Sequence, residues 1–230
     1  MSADEFNVDQ EFLGLKQTSV WTVICIDSTG QLVTQMLGTL IELQRLKRLD
    51  RTGWILRGLP NGTESVASHS FGVAVTAMFV ADRVNYMGVQ VDLERVMRLA
   101  LLHDWPEVLV GDLPRTATMF FGSEARKSAE EKAFAEIVAS MDDLGINYCA
   151  LHAEYEERNS LEAKIVKVAD IIDLLVQALA LERAGARGLD EFWVVAEKRE
   201  FQFDGTVKTV VDELFESLLQ ERQSLLEHSA

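Results

Sequence analysis

Between Ala100 and Pro114 the chain reads Ala-Leu-Leu-His-Asp-Trp-Pro-Glu-Val-Leu-Val-Gly-Asp-Leu-Pro. An apolar run thus ends in His103, Asp104, Glu107 and Asp112 within ten positions. Two more groups of this kind interrupt apolar stretches elsewhere: His69, in Ala67-Ser68-His69-Ser70-Phe71, and Asp170, in Lys167-Val168-Ala169-Asp170-Ile171-Ile172. Imidazoles and carboxylates buried without partners cost several kcal/mol, so something must satisfy them. Each alone has an ordinary explanation: a core histidine bonded to a carbonyl, or an aspartate capping a helix or paired with a lysine or arginine. Together they ask for another. Three helical segments each aim a ligand-type side chain inward, no cationic partner is evident, and two of the chain's four histidines are in the set. His69, His103, Asp104 and Asp170 offer two nitrogens and two carboxylates. That donor set suits Mn²⁺, Fe²⁺ or Co²⁺, with Zn²⁺ and Mg²⁺ as further candidates. Four protein ligands in an octahedral sphere leave two positions for water and substrate, the mark of a catalytic metal.

The elements must bring these residues together. Pro106 lacks an N–H, and its ring clashes with the carbonyl of Leu102, so the helix through Val96 and Leu99 stops near His103. A new short helix then starts with Pro106 in its first turn. His103 and Asp104 fall at a helix end, where adjacent side chains can converge; in mid-helix they diverge by roughly 100°. The remaining chain reads as helices with short breaks. Residues 32–48 carry Leu32, Met36, Leu40, Leu43 and Leu46 at helical spacing, and Pro60 and Gly62 mark a loop over 51–63. Residues 64–86 are apolar on nearly every side, which predicts burial in mid-bundle. Further helices are expected over 92–103, from an N-cap at Ser123 to Gly145, over 148–157, over 161–184, and over about 206–226 with Val207, Val210, Leu214 and Leu218 on one stripe. Val20 to Ile26, rich in β-branched and aromatic residues, reads as a short strand or an apolar flap. The fold class is all-α. Residues 1–30 form an N-terminal extension, and 31–230 a single helical domain.

Composition narrows the function classes. A chain of 230 residues, 48% hydrophobic and 26% charged, is long enough for one sizeable core. A net charge of −15 argues against a nucleic-acid surface, which needs a basic stripe. It leaves a small phosphate substrate open, because a metal supplies positive charge locally. No apolar run approaches the ~18–20 residues of a membrane span. Met1 to Gln10 lacks the basic start of a signal peptide. Cys25 and Cys149 form no CxxC motif, so a reduced, cytoplasmic protein is expected.

The ordered set His69, His103-Asp104, Asp170 in helical context resembles the HD-domain metal-dependent phosphohydrolases. Glu64-Ser65-Val66-Ala67-Ser68-His69, His103-Asp104-Trp105-Pro106-Glu107 through Gly111-Asp112-Leu113-Pro114, Tyr155-Glu156-Glu157 and Lys167-Val168-Ala169-Asp170 are similar to the 5′-deoxynucleotidase branch. The likeness spans about 45–195. It implies a homodimeric all-α enzyme that cleaves deoxynucleoside 5′-monophosphates to deoxynucleosides and phosphate. It further implies a divalent metal on His69, His103, Asp104 and Asp170. Glu107 would handle the proton of the attacking water or of the leaving oxygen, and Asp112 would accept from the 3′-hydroxyl. Arg51 and Trp54 would shape the sugar-phosphate end of the pocket. Two features depart from the pattern. Ser68 precedes His69 where the family usually has an acid, and Thr52-Gly53 separates Arg51 from Trp54 where bacterial members have them adjacent. The alternatives are an HD phosphohydrolase of another nucleotide class, acting on triphosphates or cyclic nucleotides, and a non-catalytic HD regulatory module. Guanosine-polyphosphate enzymes follow the His-Asp pair with Glu-Asp, whereas Glu107 is followed by Val108.

Overall fold

In the computed structural model, residues 34–197 and 201–228 are described, and the fold they form is helical. Eleven α-helices follow one another among them: α1 Thr34–Leu43, α2 Thr52–Ile55, α3 Val66–Tyr86, α4 Leu93–Leu102, α5 Glu107–Val110, α6 Arg115–Phe121, α7 Ser123–Val138, α8 Asp142–Glu157, α9 Leu161–Arg183, α10 Asp190–Glu197 and α11 Gly205–His228. The only extended pairing among the described residues is an isolated antiparallel bridge between Asp50 and Ser65.

The long helices start where their caps demand. Ser65, Asp92 and Ser160 each accept a hydrogen bond from the backbone N–H three residues on, satisfying a donor that the first turn leaves free. α3 and α9 pack most extensively, and α4 lies against both. Their shared interior is built from Val73, Ala77, Val80 and Val84 of α3, Val96 and Leu99 of α4, and Ile165, Val168, Ile172 and Leu175 of α9. Alanines at 74, 77, 81, 169 and 178 keep the backbones close. α11 closes this core with Val207, Val211 and Phe215. A second apolar cluster, with Leu46, Val66, Leu102, Val108, Phe134 and Ile137, lies beneath the turn that carries His103 and Asp104.

Several expectations are corrected. The 32–48 helix ends at Leu43 and tightens into a 3₁₀ turn over Gln44–Lys47, and Met36 and Leu40 are half exposed. The 51–63 loop contains the short helix α2. Ser123 begins α7 but makes no capping bond, and that helix stops at Val138. Gly145 does not end it. Gly145 sits inside α8, where a Cβ would lie 2.5 Å from the Val138 carbonyl oxygen, so the glycine serves the close crossing of α8 over the end of α7. The α3 helix is buried on one side only, leaving Phe71, Phe79 and Tyr86 exposed. On α11 the buried stripe runs through Val207, Val210, Val211 and Phe215, while Leu214 is 37% exposed. α6 and α10 were not anticipated; both are short and weakly patterned. The expected strand or flap at 20–26 lies outside the described residues. Among those residues no helix is long and apolar enough to cross a membrane.

Candidate metal centre

Pro106 ends α4 as anticipated. His103 is the residue after its last turn, and α5 restarts at Glu107 with Pro106 immediately before it. The His103 ring is buried, and its Nδ1 lies 2.8 Å from the Ala100 carbonyl oxygen. Nδ1 therefore carries the proton, and the lone pair of Nε2 faces the interior. That Nε2 has no hydrogen-bond partner in the protein, although Asp104 Oδ2 is 3.1 Å away. His69, one turn into α3, repeats the arrangement. Its Nδ1 sits 2.8 Å from Asp173 Oδ2, and its Nε2 lies 3.1 Å from Asp170 Oδ1 and 3.7 Å from Asp104 Oδ2. The two imidazoles meet edge-on at 5.5 Å between centroids. Ligand atoms of His69, His103 and Asp170 all fall within 4.8 Å of one another.

Two imidazoles and two carboxylates thus converge from α3, the α4 end and α9. Such a cluster of acceptors needs positive charge at its centre, and an orphaned buried imidazole nitrogen aimed into it fits a metal. The electrostatics agree. Burial and Arg51 oppose charge on His69, yet its bonds to Asp170 and Asp173 prevail and raise it to about 9. Burial resists ionisation of Asp104, but His103, His69 and Arg51 hold it below the usual carboxylate range. Asp170 is likewise held well down, against burial, by Lys167 and His69. Two cationic partners hidden in the sequence are now visible: Lys167 Nζ lies 2.7 Å from Asp170 Oδ2, and Arg51 lies 3.5 Å from Asp104 Oδ2.

The other candidate residues border this centre. Arg51 is brought in by the Asp50–Ser65 bridge, whose Arg51 N–H bonds to the Glu64 carbonyl at 2.9 Å. Its guanidinium reaches Asp112 at 3.0 Å and Glu107 at 3.9 Å. Asp112 is held from the other side by the Thr52 N–H, and Thr52 Oγ1 donates to the Asp112 carbonyl. Gly111, at φ 78°, makes the turn that presents Asp112. Glu107 Oε2 is buried without a partner, and burial together with Asp104 pushes its carboxyl well above the ordinary range. Trp54 is 1% exposed; its indole N–H donates to Glu64 Oε2 at 2.6 Å, and its ring lies 4.6 Å from that of Phe192.

Two cavities share Arg51, Asp112, Leu113 and Val195 in their walls. One, of about 620 Å³, holds His103, Asp104, Glu107, Asp170 and the cations Arg126, Arg158 and Lys167. The other, of about 440 Å³, is lined mainly by Trp54, Met119, Leu174, Phe192 and Val194. Sequence reasoning missed Asp173, Lys167, Glu130 and the α10 wall. Asp173 is three residues beyond Asp170, the one spacing signal that could have drawn it in.

The helical bundle that gathers these groups matches one family. The family model described as "HD domain" matches residues 43–202. The chain belongs to the HD-domain family, in the branch that contains 5′-deoxynucleotidases. It is 37% identical over 157 residues to the 5′-deoxynucleotidase HDDC2 of Danio rerio, covering 66% of this chain and 74% of that protein. The human 5′-deoxynucleotidase HDDC2 is 34% identical over 155 residues, covering 67% and 72%. Among solved structures, the PH0347 protein of Pyrococcus horikoshii superposes with a TM-score of 0.69 at 31% identity, covering 81% of this chain and 99% of that one.

Proposed function

We propose that this chain hydrolyses deoxynucleoside 5′-monophosphates to deoxynucleosides and phosphate, using a divalent metal held by His69, His103, Asp104 and Asp170. The observation that carries it is the orphaned His103 Nε2 among three other inward-facing ligand groups, beside a polar cavity and in a chain similar to named 5′-deoxynucleotidases. Mn²⁺, Co²⁺, Fe²⁺ and Mg²⁺ fit the donors, and Zn²⁺ is a further candidate. When bound, the metal supplies charge neutralisation and acidifies a water toward pKa ~7. Everything else falls to side chains. Arg51 faces the same space as Asp104 and Glu107, where it neutralises and orients the phosphate. Water attacks phosphorus, the P–O5′ bond breaks, and the 5′ oxygen leaves with a proton. Glu107 takes the proton from the water or delivers one to that oxygen; its unpartnered Oε2 is free for either role. Asp112 keeps acceptor capacity beyond its bonds to Arg51 and Thr52, and takes the 3′-hydroxyl. The apolar cavity beside Asp112 and Leu113 seats the base, against Phe192. Trp54, locked by Glu64, stiffens the wall near the sugar.

Steric exclusion of a 2′-hydroxyl is worth ~1–3 kcal/mol, or roughly 10–200-fold in kcat/KM. The net charge of −15 adds repulsion against polyanions, favouring one phosphate over three. The test is kcat/KM for dAMP, AMP and dATP under one metal and one salt concentration. The order dAMP, then AMP, with dATP poorest, is expected. Equal values for dAMP and AMP would defeat the sugar argument, and no release of phosphate from any of them would defeat the enzyme reading.

The reading also includes a cytoplasmic setting, no membrane or nucleic-acid partner, and a homodimer. The exposed Phe71, Phe79 and Tyr86 on the outer face of α3 support the last of these. α11, the other stripe considered at first, spends its apolar residues on closing the core.

A further inference from the structure

The residue before His69 is Ser68, and it does nothing for the imidazole. Its backbone N–H and hydroxyl are engaged with Ser65 at the start of α3. The orienting carboxylate comes instead from across the helix pair. Asp173, one turn beyond Asp170 on α9, places Oδ2 2.8 Å from His69 Nδ1. One face of α9 therefore presents a carboxylate to each nitrogen of the same ring: Asp170 to Nε2 and Asp173 to Nδ1. Glu64 is also grouped with His69 and Asp173, but its Oε2 accepts the Trp54 indole N–H.

Asp173 can lie there only because of a missing side chain. Gly72 is one turn after His69, on the same face of α3. A Cβ built on it would fall 2.0 Å from Asp173 Oδ1, 2.6 Å from Cγ and 2.9 Å from Oδ2. Real Cβ atoms do not approach so closely, and an aspartate is too short to yield without leaving the ring. Gly72 has an ordinary helical backbone, so no positive φ requires glycine there. Glycine is a poor residue for a helix interior, where alanine is favoured. The three atoms nearest to the absent Cβ all belong to Asp173. The space is kept for that carboxylate.

We propose that Asp173 and Gly72 act as one positioning unit for the metal centre. Asp173 accepts the Nδ1 proton of His69, which fixes the tautomer and aims the Nε2 lone pair at the metal, and Gly72 holds open the volume that Asp173 occupies. Neither residue touches the substrate. The inference rests on the metal reading above, and its readout is metal affinity rather than turnover. A histidine ligand whose second nitrogen loses such a partner costs ~10–100-fold in metal affinity.

The experiment is a double-mutant cycle on the full chain. Dissociation constants for Mn²⁺ and for Co²⁺ are measured by competition with a chromophoric chelator at pH 7.5. The proteins are wild type, Asp173→Asn, Asp173→Ala, Gly72→Ala and the Gly72→Ala/Asp173→Ala double variant, with melting of each metal-free protein as the check on folding. Asp173→Ala is expected to weaken binding ~10–100-fold. Asp173→Asn, which keeps an acceptor but not the charge, should fall in between. Gly72→Ala should weaken binding alone yet add nothing in the Asp173→Ala background, where it should raise the melting temperature by restoring helix propensity. Unchanged affinity in all the single variants overturns the proposal, and so does simple additivity in the double variant. If Asp173→Ala lowers the bound metal from two ions per chain to one, Asp173 is itself a ligand and the positioning role is wrong. A wild-type chain that binds neither ion removes the metal centre itself, a result distinct from all of these.

Discussion

Glu107 carries the chemical step in this reading because of where it stands relative to the ligands. It begins the helix after the Pro106 break, its carboxyl is buried, and Oε2 has no partner. Burial and Asp104 push its carboxyl up; a dication at the four candidate ligands pulls in the opposite direction. Glu107→Gln preserves shape while removing proton transfer, so kcat should drop by ~10²–10⁴ with metal content unchanged. Loss of metal in that variant, measured by elemental analysis, would make Glu107 a ligand instead. Asp104→Ala should show the reverse pattern and purify with little metal. Glu130, which is not one of the candidate ligands, offers a pH test. Burial is the largest cause that pushes its carboxyl up to about 7; Glu156 and Asp104 add to it, and Arg126 opposes them. The folded state then holds that proton more tightly than the unfolded chain. Its contribution to stability is full below the ordinary glutamate range and is lost as pH rises through about 7. Glu130→Gln should melt higher than wild type at pH 8.5 and about equally at pH 5.

At the scale of elements, the site is an assembly of helix ends and one helix pair. α3 and α9 supply candidate ligands from facing turns, the α4 end supplies two more, and the Asp50–Ser65 bridge brings Arg51 beside them. α10 plays a different part. Its Phe192 packs on Trp54, and with Val194 and Val195 it walls the apolar cavity. If that cavity seats the base, Phe192→Ala removes a stacking surface worth ~1–3 kcal/mol, or roughly 5–150-fold. The loss should appear in KM for dAMP and dCMP and be absent for deoxyribose 5-phosphate, which has no base. Equal losses for all three would show that α10 supports the fold of the site rather than the base.

For the whole molecule, metal and assembly are the measurable consequences. In the proposed reading a cation binds the four groups only where the fold gathers them, so it stabilises the native state. At free metal ~100-fold above the dissociation constant, linkage adds about 2.7 kcal/mol. For a chain of this size that is a rise of roughly 5–10 °C in melting temperature. Chelation should reverse the rise, and an unchanged melting temperature on adding Mn²⁺ or Co²⁺ would count against a metal in the core. Light scattering at micromolar concentration should report a particle of twice 25.8 kDa. Replacing Phe71 and Phe79 with serine should return it to the monomer without loss of metal. A wild-type particle of 25.8 kDa would reject the dimer outright.

The candidate metal centre was legible because its residues are anomalies in an apolar pattern. His69, His103, Asp104 and Asp170 stand where a core wants leucine, and Pro106 marks the break that lets two of them converge. The all-α class, the spans of α3, α4 and α9, and the inward stripe of α9 were readable for the same reason: helical period and caps are local properties. What surrounds the ligands was not local. Lys167 and Arg51 look like ordinary charges until the fold brings them to Asp170 and Asp104. Trp54 could have been a pocket wall or a core plug, and the structure makes it both, because Glu64 holds its indole from behind while the cavity opens beside it. Gly145 read as a helix end and proved to be a crossing point. Gly72 carried no signal at all, since a glycine inside a helix acquires meaning only from the carboxylate that a facing helix pushes into its space. The chain encodes which groups must be satisfied; which neighbours satisfy them is settled by the packing of α3 against α9, and so by tertiary structure alone.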